Sequence, residues 1–362
     1  MDKSKVYNKI KITIEIISLI LNLLLIIVLI FTPLSKFLET KIYEYTSNDY
    51  IAFILFSLSI GILNSIYSIP LSFYSGYIIE HKFKLSNQRF WDWVIEKLKS
   101  TAVSFLISLP LILLFYYLLK NYELWWLFIA IAVFFFSILL ARIAPTLIFP
   151  IFYKFNPLND ENLKNKLTEL CKKFGINFEG IYTFNLSKTT KKANAGFTGI
   201  FKSKRIILSD TLIENFTDDE ILTVFAHELG HYKKRHIIKN VLIGFIVTTI
   251  TFYLVNQLYI SLIFRLDFKS VDQISALPIL FLIMSIFSLI MMPVTNSISR
   301  KFEYEADEFA VKSTGDKNSF ISSLQKLSRI NLADENPNPI IEFIFYSHPS
   351  IQKRIKRIKQ IS

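Results

Sequence analysis

The chain has 362 residues, 52% of them hydrophobic and only 19% charged, with a mean hydropathy of +0.40. Soluble domains carry about 25% charged residues, so this balance excludes disorder, collagen-like repeats and an ordinary water-soluble enzyme. A formal net charge of +12 is read as basic loops facing a cytoplasm, with no nucleic-acid partner, once the membrane character below is counted.

Six runs free of Lys, Arg, Asp and Glu follow one another: residues 16–35, 50–79, 100–119, 124–141, 240–264 and 273–299. A helix needs about 20 mostly apolar residues to cross hydrocarbon, and buried helices of soluble proteins are usually shorter. The pattern predicts a multi-pass α-helical membrane protein. No small-residue cleavage site follows the first run, which is read as a retained span. Positive charges sort between alternate loops. Lys3, Lys5, Lys9 and Lys11 precede the first span, and Lys82, Lys84, Arg89, Lys97 and Lys99 follow the second. A dense set runs from Lys172 to Arg235, and Lys353, Arg354, Lys356, Arg357 and Lys359 close the chain. The loops at 36–49, 120–123 and 265–272 are short and nearly balanced. Six crossings with both ends cytoplasmic satisfy the bias at every loop. The single cysteine, Cys171, excludes an intrachain disulfide and any cysteine-clustered metal site.

Two stretches outside the membrane are large enough to carry function, about 151–236 and 300–362. The first opens with helical spacing at Leu163, Leu167, Leu170 and Phe174, stopped by Gly175. Short apolar runs at Ile181–Phe184 and Arg205–Leu208, with Gly196 and Gly199 between them, read as a small hairpin or pair of strands. Thr217-Asp218-Asp219-Glu220 is a capping box with an acidic first turn. It predicts a helix from near 218 through Ile221, Val224, Phe225 and Leu229.

That helix contains His227-Glu228-Leu229-Gly230-His231. Histidines at i and i+4 share a helical face one turn apart, the spacing that lets two imidazoles hold one zinc ion. Glu228 beside them can take a proton from water at such a site. With only five histidines in the chain, chance rarely delivers this pattern. A zinc hydrolase needs a third protein ligand and one open position. Position 237 is Ile, and His236, five residues on along a continuous helix, points away from the pair. The remaining option is a carboxylate from elsewhere. Two spans carry the chain out and back, so residues from 300 onward return to the side of His231. Glu303 and Asp307 there share a face at i and i+4, while Glu305 points roughly opposite. Glu303 is the expected ligand, and Asp307 can accept the other ring N–H of a ligating histidine and hold its tautomer.

His227–His231 followed by Glu303-Tyr304-Glu305-Ala306-Asp307 resembles the gluzincin-type integral-membrane metalloproteases of family M48. Within that family it is similar to the Ste24 type, the CAAX prenyl proteases, more than to the shorter HtpX type. Further stretches carry the closer likeness: Ala193-Asn194-Ala195 through Gly199, Lys204-Arg205 to Asp210, His227 through His236, Ser347-His348-Pro349-Ser350 with Arg354, and Tyr74 to Glu80 with Lys82-Phe83-Lys84. The similarity covers about residues 45–362. The chain departs from the family in having six spans where seven are general, Ser350 for the second Pro and Glu305 for Gln. The resemblance implies zinc held by His227, His231 and Glu303, with Glu228 as general base and proton shuttle. It further implies that His348 and Arg354 line the cleft and stabilise the oxyanion, and that Asn194 and Ala195 lie on a strand edge that holds an extended peptide.

The expected fold is therefore mainly α: a membrane protein of about six spans with a small α+β gluzincin-type zinc protease domain. Residues 1–150 supply four spans, 151–239 a cytoplasmic protease segment, 240–299 two further spans, and 300–362 the segment with the third ligand. The expected activity is zinc-dependent hydrolysis of peptide bonds near the C-terminus of prenylated (CAAX-type) or other membrane-associated proteins. Its partners are a peptide or protein substrate and membrane lipid, in a prokaryotic cell membrane ahead of an endoplasmic reticulum. An HtpX-like quality-control protease is the second enzyme reading. An inactive zinc-binding scaffold or a transporter is the rival of another class. An intact Glu228 argues against the scaffold, and spans free of ionisable residues apart from Arg142 near the fourth argue against transport. His81 reads as a loop histidine. Asn22, Asn64, Asn240, Asn256 and Asn296 read as interhelical hydrogen-bonders, Trp125 and Trp126 as an interfacial belt, and Pro70, Pro110 and Pro145 as kinks.

Overall fold

The computed structural model describes residues 2–176, 178–198 and 205–361; Gly199 and Lys204 of the stretches read above lie outside them. Among the described residues six helices are long and apolar enough to cross a membrane, and each overlaps one of the six charge-free runs. α1 (Lys3–Phe31) starts at Asp2, whose carboxylate accepts the Ser4 N–H, and the short α2 (Leu34–Tyr43) follows it. α3 (Asp49–Phe73), capped by Asn48, runs through a π turn at Tyr74–Ile79 into α4 (Glu80–Lys82). α5 (Phe90–Asn121) and α6 (Trp125–Ile143) are the next crossings. α6 continues through a π turn at Ala144–Ile148 into α7 (Phe149–Phe152). Pro145 lies inside the second π turn, and Pro70 lies in the last turn of α3 before the first; each removes one ladder hydrogen bond.

The spans leave apolar side chains such as Ile66 and Leu106 largely exposed, as lipid contact allows. Their tightest packing is around Phe53, Phe56, Tyr116, Tyr259 and Leu280, with the Phe53 and Tyr116 rings stacked at 4.3 Å. Trp125 belongs to this cluster rather than to an interfacial belt. It is buried, and its indole N–H donates to Asn256 Oδ1 at 2.7 Å. Tyr67 likewise bridges to Asn22 on α1 at 2.8 Å.

Outside the bilayer the chain lays down β1 (Phe155–Pro157), α8 (Glu161–Lys173), β2 (Gly180–Phe184), β3 (Ala195–Thr198), β4 (Arg205–Ser209), α9 (Asp210–Asn215) and α10 (Asp218–Lys233). After α11 (His236–Ile263) and α12 (Leu277–Thr314) it adds α13 (Lys317–Asn331), α14 (Pro339–Phe345) and α15 (Ile351–Gln360). The strands form one sheet in the order β1-β2-β4-β3, with β2 parallel to β4 and both outer pairs antiparallel. β2 and β4 are thus neighbours but not a hairpin, because the chain between them first supplies the outer strand β3. Leu163, Leu167 and Cys171 of α8 meet Ile206 and Leu208 of β4, Phe225 and Leu229 of α10, and Phe320 of α13 in a second core. Gly175, at φ +66°, ends the chain's turn out of α8, a conformation that glycine adopts at little cost.

Two features join this domain to the spans. α12 is 38 residues long, about 57 Å at 1.5 Å per residue, so one helix, with Pro293 inside it, enters from the bilayer and ends inside the protease core. Near the N-terminus, Glu80 accepts the Tyr7 hydroxyl at 2.6 Å and pairs with Lys11 at 2.9 Å and Lys192 at 3.1 Å. The Lys191 N–H donates to the Leu85 carbonyl at 2.8 Å beside a β-bridge between Ser86 and Thr190. His81 lies in α4 rather than in a loop, and it contacts the Tyr77 and Gln88 carbonyls through its two ring nitrogens.

Candidate metal centre and active site

α10 begins as its sequence dictates. The Thr217 hydroxyl accepts the Glu220 N–H, and the Glu220 carboxylate accepts the Thr217 N–H at 3.0 Å. Ile221, Phe225 and Leu229 anchor the helix in the core. The opposing face meets α12 closely at Gly230, where a Cβ would sit 3.0 Å from the Ala306 Cα. A backbone approach of that kind is what glycine permits.

The approach delivers Glu303 to the two histidines. His227 Nε2 lies 3.1 Å from His231 Nε2 and 3.3 Å from Glu303 Oε2, and His231 Nε2 lies 3.2 Å from Glu303 Oε1. One ligand atom from each of the three residues falls within 4.8 Å of the others. Glu303 is 4% exposed, and its Oε2 has no hydrogen-bond partner. A buried carboxylate oxygen without a donor is costly, and a cation between the three residues removes that cost. Burial pulls the His227 imidazole down, but the neighbouring Asp307 and Glu303 carboxylates outweigh it and carry it up to about 9. The local field therefore favours positive charge at this point. Two imidazoles and one carboxylate, with a side left open, fit a divalent metal.

Behind His227, Asp307 presents Oδ1 at 2.8 Å to Nδ1. Asp307 is in turn held by Arg354, whose Nη2 and Nε donate to it at 2.6 and 2.9 Å. Both residues are buried. Although burial opposes its charge, the guanidinium is held well above its ordinary pKa by Asp307 and Glu303. His348 comes from the loop after α14. Its Nε2 is 3.4 Å from Glu303 Oε1 and its side chain is 65% exposed, so it stands on the open side. Glu228 is partly buried and makes no hydrogen bond or ion pair among the described residues. Asn194 is tied to Ser209 twice: its N–H donates to the Ser209 hydroxyl at 3.0 Å, and its carbonyl accepts the Ser209 N–H at 2.9 Å. Ala195 pairs with Leu208, and β3 is the outer strand against α10.

At this site the structure corrects the expectation for His236. His236 does not point away from the pair: its Nδ1 is 3.0 Å from His231 Nδ1. The continuous helix assumed from sequence ends at Lys233, Arg235 takes a left-handed conformation at φ 58°, and His236 opens α11 instead. Glu305 stays clear of the three-residue cluster and contacts His236 Nε2 at 3.1 Å.

Residues 157–362 match the family model for peptidase family M48. The chain belongs to that family. Residues 1–154 match a model described as CAAX prenyl protease N-terminal, five membrane helices; here that stretch contains four long apolar helices and the short α2. An uncharacterised metalloprotease of Bacillus subtilis, YhfN, is 29% identical over 98% of this chain and 84% of its own. CAAX prenyl protease 1 of Saccharomyces cerevisiae is 33% identical over 83% of this chain and 70% of its own. A crystal structure of Ste24p from S. mikatae superimposes with a TM-score of 0.88 at 28% identity, covering 98% of this chain and 88% of that one. The protein is thus a multi-pass membrane metalloprotease of the Ste24-like branch of family M48, with a metal cofactor and a peptide or protein substrate.

Proposed function

We propose that this metalloprotease uses zinc, held by His227, His231 and Glu303, to cleave near the C-terminus of prenylated or other membrane-associated proteins. The observation that carries the reading is the three-residue cluster with its orphaned Glu303 oxygen. When bound, zinc supplies Lewis acidity toward the scissile carbonyl and the attacking water. Glu228, unengaged beside the cluster, takes the proton from that water and returns it to the leaving nitrogen. His348, exposed on the open side, donates to the developing oxyanion. Asp307 accepts the Nδ1 proton of His227, which leaves Nε2 as a lone-pair donor. Arg354 acts through Asp307, since two of its nitrogens already donate to that carboxylate; this differs from the oxyanion role expected from sequence. The β3 edge at Asn194 and Ala195 lies against α10 and suits strand addition by an extended peptide.

The segments 151–239 and 300–362 form the protease in this reading, and 1–150 and 240–299 the membrane part. The basic loops support a site on the cytoplasmic side of a prokaryotic cell membrane, where bilayer lipid is a further partner and nucleic acid is not. The test is full-length protein in detergent, incubated with prenylated and unprenylated C-terminal peptides. Cleavage should vanish with a chelator and return with zinc, and the prenylated peptide should be preferred. Cleavage that ignores the chelator refutes the metal reading, and equal rates on both peptides refute the prenyl preference.

A further inference from the structure

His231 has a partner on its far side that the proposed chemistry does not use. His236 is 1% exposed, and its ring is stacked on Phe302 with centroids 4.3 Å apart and planes 8° from parallel. Nδ1 of His236 faces His231 Nδ1 at 3.0 Å, while Nε2 faces Glu305 Oε2 at 3.1 Å. Glu305 is also 3.9 Å from Lys239, so it sits among groups that favour the carboxylate form.

These contacts allow one proton arrangement if His231 is to offer a lone pair at Nε2. A neutral imidazole carries a single N–H, so that of His231 must be on Nδ1 and must donate to His236. His236 then accepts at Nδ1 and carries its own proton on Nε2, where Glu305 accepts it. Every polar atom in the chain from Glu305 to His231 is satisfied, and the stack on Phe302 fixes the plane of the middle ring. His227 has the shorter counterpart, a direct bond to Asp307 backed by Arg354.

We propose that His236, backed by Glu305, is a positioning residue that sets the tautomer and orientation of His231 for the metal. The inference rests on the reading of His231 as a ligand. The left-handed Arg235 is what makes it possible, because it breaks α10 and turns the first residue of α11 back onto the zinc helix. Outer partners of ligating histidines typically contribute about 10–100-fold in metal affinity.

The test measures zinc affinity of the full-length, metal-stripped protein in detergent, by competition with a chromophoric chelator, alongside melting of the metal-free form. His236→Phe keeps the stack and removes both hydrogen bonds, and should weaken zinc by about 10–100-fold with metal-free melting unchanged. His236→Gln, whose carbonyl can accept from His231 and whose amide can donate to Glu305, should recover most of the loss. His227→Ala is run beside them. If it still binds zinc as wild type does, the ligand reading has failed. If it loses zinc while His236→Phe binds as tightly as wild type, the positioning role alone is refuted. Should His236→Phe melt lower without metal, Glu305→Ala decides. That change leaves the stack intact, so weaker zinc binding supports the relay and unchanged binding overturns it.

Discussion

Arg354 grips Asp307 through two nitrogens, at 2.6 and 2.9 Å, with 8% of the arginine and 1% of the aspartate exposed. Asp307 in turn meets His227 Nδ1 at 2.8 Å, and the remaining guanidinium nitrogen, Nη1, lies 3.8 Å from Glu303 Oε2. Arg354→Ala strands a buried carboxylate, which costs about 3–5 kcal/mol, so melting should fall along with zinc affinity. His348→Ala removes an exposed ring instead. It should leave melting and KM nearly unchanged while kcat drops about 10²–10³-fold. An Arg354→Ala variant that melts like wild type and loses only kcat would restore the oxyanion role to Arg354.

Glu228, next to His227 in sequence, makes no hydrogen bond or ion pair with any described residue and acts on the buried Arg354 only through its charge. Glu228→Gln keeps its shape and removes the proton acceptor. Zinc content and melting should stay at wild-type levels, and kcat should fall by about 10²–10⁴-fold. Metal analysis with a peptide-cleavage assay checks both halves, and substantial residual turnover would move the general base elsewhere.

The spans and the helix that carries His227 and His231 were legible because they rest on local physics. Six charge-free runs have only one economical environment, and Thr217 and Glu220 start α10 whatever surrounds them. The fitting of Glu303 to His227 and His231 followed from counting crossings. His236 was misread because Lys233-Lys234-Arg235 contains no glycine or proline to announce the break, and a left-handed arginine is set by tertiary packing. The order of the sheet was hidden for a similar reason, since β3 is short and does not alternate. Burial of Trp125 depended on Asn256, a partner 131 residues away.

Glu220 makes stability pH-dependent away from the metal. Its carboxylate accepts from Lys326 at 2.6 Å, Ser322 at 2.6 Å and the Thr217 N–H at 3.0 Å. Burial alone would raise its pKa, but these three donors outweigh burial and hold it below the ordinary carboxylate value. A group depressed on folding stabilises fully above its unfolded pKa of about 4.3 and loses that contribution as pH falls through the lower folded value. Glu220→Gln should therefore cost about 1–3 kcal/mol at neutral pH. Melting curves of the two proteins should converge as pH drops below about 4. A gap that stays constant down the pH series would show that the charge is not what matters.

Gly230 sets the spacing on which the three-residue cluster depends. A Cβ there would meet the Ala306 Cα at 3.0 Å, the Ala306 carbonyl oxygen at 3.2 Å and the Phe309 Cβ at 3.2 Å. The first two are backbone atoms in the interior of a 38-residue helix, so they cannot swing aside as a side-chain tip can. Gly230→Ala must separate α10 from α12, and overpacking of this kind costs about 1–3 kcal/mol. Glu303 stands one turn from Ala306 on the same helix and would move with it, away from His227 and His231. Both melting and zinc affinity should fall. Gly244→Ala is the control, because a Cβ there meets nothing within 4 Å, and it should leave both unchanged. If Gly230→Ala melts and binds zinc as wild type does, the close approach of α10 and α12 is not what positions Glu303.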